Sequence, residues 1–86
     1  MKVSPDEEWV EHAKGVLKAE LKRRNLTYRG LADMLTKAGH PENERNLTNK
    51  IARGTFTAAF LLQCMRVIGC ESLDLRHLPK PVALAV

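Results

Sequence analysis

Arg45, Asn46 and Asn49 are the residues whose types and spacing best suit a definite chemistry. Arginine can donate two parallel hydrogen bonds to guanine N7 and O6, and asparagine can pair with adenine N6 and N7. If Leu47 and Ile51 mark the inward side of a helix, a turn of about 100° per residue sends Glu42, Arg45, Asn46, Asn49, Ala52 and Arg53 outward. Thr48 and Lys50 then lie at the edges. Such a face suits the major groove of duplex DNA, with Arg45, Asn46 and Asn49 as base readers and Lys50 and Arg53 meeting phosphates. Ala52 is small enough to permit close approach and to touch a thymine methyl. The same pattern also occurs on ordinary solvated helices. Glu42 and Glu44, expected at the front of this helix, favour its dipole but repel phosphate.

Other chemistry is poorly provided for. Cys64 and Cys70 are six apart, with Cys64 in an apolar stripe, so buried free thiols are expected and not a metal or redox pair. His12, His40 and His77 fall in three different elements without ligand spacing. No glycine-rich phosphate loop, Ser/His/Asp constellation or HExxH occurs. Trp9 and the two phenylalanines read as core, so stacking platforms for single strands are not expected. The expectation is a binding protein without enzymatic activity, metal or cofactor.

The elements that must position these residues are helical. Ser4-Pro5-Asp6-Glu7 forms a capping box with proline at the first helical position. Trp9, Val10, Ala13, Val16, Leu17 and Leu21 follow at spacings of three and four, and Lys22, Arg23 and Arg24 compensate the dipole of a helix from about Pro5 to Arg24. Gly15 inside it marks either a close helix contact or an accident. Thr27 caps a second helix, with Leu26 and Leu31 as a hydrophobic staple and Gly39 as its stop. Its buried face is Leu31, Ala32, Met34, Leu35 and Ala38. A third helix begins near 42–44, buries Leu47 and Ile51, and stops at Gly54. Thr57 caps a fourth, where Phe56 staples to Leu61 and Ala58, Phe60, Leu61, Cys64, Met65 and Ile68 form the most apolar face. Ser72-Leu73-Asp74-Leu75 can cap a short fifth helix before Pro79 and Pro81. No hairpin or repeat signal appears. The fold class expected is all-α: a four- to five-helix bundle in one domain over 1–78, with a tail over 79–86.

The 86 residues allow one domain, too short for a βα barrel or doubly wound sheet. The formal net charge is +4, unevenly placed. Residues 1–21 balance at −2, residues 22–54 at +5 and residues 55–86 at +1. An anionic partner would be drawn to the middle segment. No apolar leader precedes a cleavage site and no run approaches the roughly 18–20 residues that span a bilayer, so a soluble cytoplasmic protein without membrane contact is expected.

Residues 17–75 resemble the lambda-repressor-like helix-turn-helix domain of the Cro and Xre type. The resemblance lies in Leu21 with Arg23-Arg24, Leu26-Thr27, Leu31-Ala32, Arg53-Gly54, and Leu61-Leu62 through Val67-Ile68-Gly69. It implies a small DNA-binding regulator whose third helix enters the groove front first, with Arg45, Asn46 and Asn49 reading bases. Thr27, Tyr28 and Arg29 at the start of the second helix would join Lys50 and Arg53 on phosphates. A homodimer would place a second reader one DNA turn away, paired through the tail from Leu78 or the first helix around Trp9. The chain departs from that pattern in a longer connection through Lys37–Glu42, and in Ala52 where an acidic residue often stands. The whole chain also resembles an uncharacterised bacterial family through Trp9, Leu17-Lys18-Ala19-Glu20-Leu21-Lys22-Arg23, Leu31-Ala32, Asn49-Lys50-Ile51 and Arg53-Gly54. That resemblance brings no function. An alternative is a protein-interaction module, an adaptor or toxin-neutralising partner, favoured by the stretched connection and by Glu42 and Glu44.

Overall fold

Side-chain oxygens set three of the helix starts. The computed structural model describes residues 5–79, which form α1 (Pro5–Arg23), α2 (Tyr28–Lys37), α3 (Glu44–Arg53) and α4 (Ala58–Ile68), with no strand among the described residues. Thr27, Asn43 and Thr57 have extended backbones, and their side chains accept from the N–H groups of Gly30, Asn46 and Phe60 at 3.0, 2.8 and 3.0 Å. Each removes one of the orphan donors at a helix start. Ser4, the expected cap of α1, lies outside the described residues.

The stop of α1 is Asn25, left-handed at φ 57°, which lets the Leu26 N–H return to the Leu21 carbonyl at 2.9 Å. The stop of α3 is more constrained. Gly54 has φ 69°, is buried, and a β-carbon there would lie 2.5 Å from Lys14 Cγ and 2.6 Å from Val10 Cγ1. Only glycine satisfies both the backbone angle and the approach of α1. Gly15, by contrast, is exposed and has open space around it, so it marks no helix contact.

The core takes Leu17 and Leu21 from α1, Leu31 and Leu35 from α2, Leu47 and Ile51 from α3, and Phe60, Cys64 and Ile68 from α4. Helices of 10 residues do not persist alone, so α2 and α3 depend on this burial, worth about 2 kcal/mol per large apolar side chain. α2 packs on α3 and α4, and α1 packs on the same two helices. No helix among the described residues is long and apolar enough to cross a membrane.

Several expectations need correction. Trp9 is 44% exposed and meets His12 at a ring separation of 6.5 Å. Val10, the next residue, packs against Gly54 at the end of α3, and a turn of about 100° per residue directs Trp9 away from that contact. Ala38 and Ala58 lie at helix ends and are exposed. No fifth helix forms in the described segment. Asp74 instead accepts from the Arg76 backbone N–H at 3.0 Å and from its guanidinium at 2.8–2.9 Å, closing a local turn. Residues 80–86, including most of the expected tail, lie outside the described residues.

Candidate nucleic-acid interface

Because Leu47 and Ile51 are fully buried, the rest of α3 is turned outward. Arg45, Asn46, Thr48, Asn49, Lys50, Ala52 and Arg53 are all exposed. Among the described residues, the side chains of Arg45, Asn46, Asn49 and Arg53 make no hydrogen bond or ion pair. Their donors and acceptors face solvent. Thr48 differs, since its hydroxyl donates back to the Glu44 carbonyl at 2.7 Å.

Lys50 is held differently again. Its Nζ lies 2.7 Å from Glu42 Oε2 and 5.0 Å from the centre of the Phe60 ring. Glu42, expected to project outward at the front of the helix, does not: it precedes the Asn43 cap and its side chain is only 7% exposed. The hydroxyl of Thr36 accepts from the Glu42 N–H at 3.1 Å and donates to the Glu42 carbonyl at 2.9 Å. The connection between α2 and α3 is therefore tied to both helices. Its carboxylate is turned inward, which leaves Glu44 as the exposed acid in the first turn of α3. Cys64 of α4 is fully buried and feels the charges of this pair. Burial pushes its thiol up to about 12, with Glu42 adding to the shift and Lys50 opposing it, so the sulfur stays protonated at neutral pH.

At the start of α2, Thr27 takes the N–H groups of Gly30 and Leu31, whereas those of Tyr28 and Arg29 have no acceptor among the described residues. No acidic residue lies in that first turn, in contrast to Asp6, Glu7 and Glu8 in α1. Arg29 is exposed, while Tyr28 is half-buried with its side chain packed on the core. Thr27 accepts from Gly30, and its hydroxyl proton remains a donor. A cleft of about 230 Å³ between the end of α3 and the start of α4 is lined by Lys50, Arg53, Thr55, Phe56, Thr57 and Phe60. It joins two cations to an aromatic floor in which Phe56 and Phe60 lie 5.5 Å apart.

One polar cluster was not foreseen. Glu20 is 7% exposed, the one buried charged residue among those described. Its carboxylate accepts from Arg23, and from Arg24 Nη1 at 2.6 Å. Cys70 Sγ lies 3.6 Å from Glu20 Oε1 and 3.2 Å from the Ser72 carbonyl, two acceptors that share one thiol proton. The hydrogen bonds from Arg23 and then Arg24 hold the Glu20 carboxyl below the usual glutamate range, against the effect of its burial. The Glu-to-Arg spacings of three and four residues are a sequence signal for an ion pair. Nothing in the spacing announces Cys70, fifty residues away.

The two cysteines are free, Cys64 buried and Cys70 half-buried. No group of three His, Cys, Asp or Glu among the described residues is placed to hold a metal. Residues 9–73 match a family model described as a domain of unknown function, DUF6471. No curated protein and no solved structure matches the chain.

Proposed function

The chain belongs to the DUF6471 family, and from that premise we propose, on the residues themselves, that it binds duplex DNA as a transcriptional regulator. In this reading the front of α3 enters the major groove and Arg45, Asn46 and Asn49 bond base edges. Arg53, Arg29, the Thr27 hydroxyl and the free N–H groups at Tyr28 and Arg29 hold phosphates on either side. A single reading helix makes few base contacts, so the chain acts as a pair of copies with their α3 helices about 34 Å apart on one face of the duplex.

The observation that carries this reading is the outer face of α3. Arg45, Asn46 and Asn49 are exposed and without partners on a helix anchored by two fully buried residues. Unpaired polar groups on a rigid element are what base readout requires. The inward turn of Glu42 also supports it, because one of the two carboxylates expected to repel phosphate is neutralised by Lys50.

Fluorescence anisotropy with a mixed-sequence duplex at 50 and 200 mM salt tests the reading. The expected outcome is binding that weakens steeply with salt. After selection of a preferred duplex, Arg45→Ala should alter base preference and Arg53→Ala should weaken all sequences alike. Absence of binding to any duplex at low salt overturns the reading.

A second reading is a protein-interaction module. Leu62, 65% exposed on α4, and the exposed Glu44 favour it. A stoichiometric protein partner that protects residues 40–53 from hydrogen exchange, together with no affinity for duplex, would establish that module in place of DNA binding.

A further inference from the structure

Lys50 stands at the edge of the reading face, and its side chain is 49% exposed. From its position alone it belongs with Arg53 among cations available to phosphate. Its ammonium, however, sits 2.7 Å from a Glu42 carboxylate that is 7% exposed, and over the Phe60 ring. The Glu42 backbone is pinned on α2, its N–H and carbonyl both bonded to the Thr36 hydroxyl. Drawing Lys50 toward DNA would leave that largely covered carboxylate without its cation, which is unfavourable.

We propose that Lys50 is a positioning residue and not a DNA contact. It locks the 38–43 connection and the Phe60 edge of α4 onto α3, and so sets the angle at which Arg45, Asn46 and Asn49 are presented. The lock joins α2, through Thr36 and Glu42, to α3 and α4. It also keeps the charge of Glu42 off the binding face. The part of this inference that concerns DNA rests on the reading given above; the lock itself does not.

The test compares the full-length chain with Lys50→Met, with Lys50→Met/Glu42→Gln, and with Arg53→Ala. Lys50→Met strands the carboxylate, whereas the double variant removes both charges and keeps the fold measurable. Thermal melting should fall for Lys50→Met and largely recover in the double variant. On duplex DNA each phosphate contact contributes about 0.9 to the slope of log K against log[salt]. The double variant should keep the wild-type slope, while Arg53→Ala lowers it by about 0.9. Lys50→Met should also lose preference for the selected duplex over mixed sequence, and the double variant should regain it only in part, because the pair that sets the angle is still absent. A double-variant slope reduced by about 0.9 would put Lys50 on a phosphate and overturn the proposal. So would unchanged melting in Lys50→Met. A wild-type chain that binds no duplex defeats the DNA reading alone, and the melting comparison still decides the lock.

Discussion

Arg24 at the end of α1 and Arg45 on α3 carry the same charge, and the fold treats them in opposite ways. Arg24 reaches back to Glu20, bonding its carboxylate at 2.6 Å and its carbonyl at 3.2 Å, with a side chain 28% exposed. Arg45 is exposed and has no carboxylate partner among the described residues. Extended to the whole 22–54 segment, the contrast separates eight cations into two sets. Arg23, Arg24 and Lys50 neutralise Glu20 or Glu42, whereas Lys22, Arg29, Lys37, Arg45 and Arg53 have no such partner among the described residues. A count of formal charge therefore overstates the cations available to a polyanion. The available ones include the positions that face outward from α2 and α3.

Breaking the scaffold between these regions should have the largest effect. Gly54→Ala combines a left-handed backbone with contact against Lys14 and Val10, and should cost about 3 kcal/mol. For a domain of this size that lowers the melting temperature by about 12–24 °C. Calorimetric melting checks it, and an unchanged melting point would mean that α1 can move aside.

Next comes the Glu20 cluster. Arg24→Met leaves a buried carboxylate with one cation fewer and should cost about 2 kcal/mol in urea unfolding, without changing the salt dependence of duplex binding. The pH dependence has a definite sign. The Glu20 carboxyl is lowered in the folded state, so its stabilisation is complete above the ordinary glutamate value of about 4.3. It is lost as pH falls through the lowered folded value. Melting of the wild-type chain should thus fall more between neutral pH and about pH 3 than melting of Glu20→Gln.

Arg45→Ala sharpens the comparison from the other side. Its stability should stay within about 0.5 kcal/mol of wild type, while discrimination at one base position should fall by about 1–3 kcal/mol. Competition binding against single-base variants of the selected duplex measures it. If Arg45→Ala destabilises the fold as much as Arg24→Met, the distinction between the two arginines is lost. The smallest effect is expected at Gly15, exposed inside α1 with open space around it. Gly15→Ala should stabilise the chain by about 0.5–1 kcal/mol, read from the same urea titration.

Much of the fold was legible because it depends on neighbours close in sequence. A hydroxyl before an apolar repeat predicts a cap, and Thr27 and Thr57 act as caps; Asn43 caps α3, whose start the sequence places only near 42–44. The rotation assigned from Leu47 and Ile51 placed Arg45, Asn46, Asn49, Ala52 and Arg53 outward, as the structure shows. Where a residue's environment came from another part of the chain, the reading was weaker. Trp9 matched the apolar spacing of α1 but is turned outward, while its neighbour Val10 takes the contact with the end of α3 at Gly54. Ser72–Leu75 looked like a helix start, yet the Arg76 guanidinium drew Asp74 into a turn.

The sequence by itself determined that the chain is helical, that Thr27 and Thr57 cap two of its helices, and which stripe of each helix is apolar. These follow from contacts within about four residues, where backbone geometry leaves few alternatives. Tertiary structure decided which charges remain available. Glu20 is buried when Cys70 returns to α1, and Glu42 turns inward when its connection folds over Lys50 and Phe60. Whether a cation is held or left free depends on carboxylates brought to it across the fold, and local periodicity contains no record of those meetings.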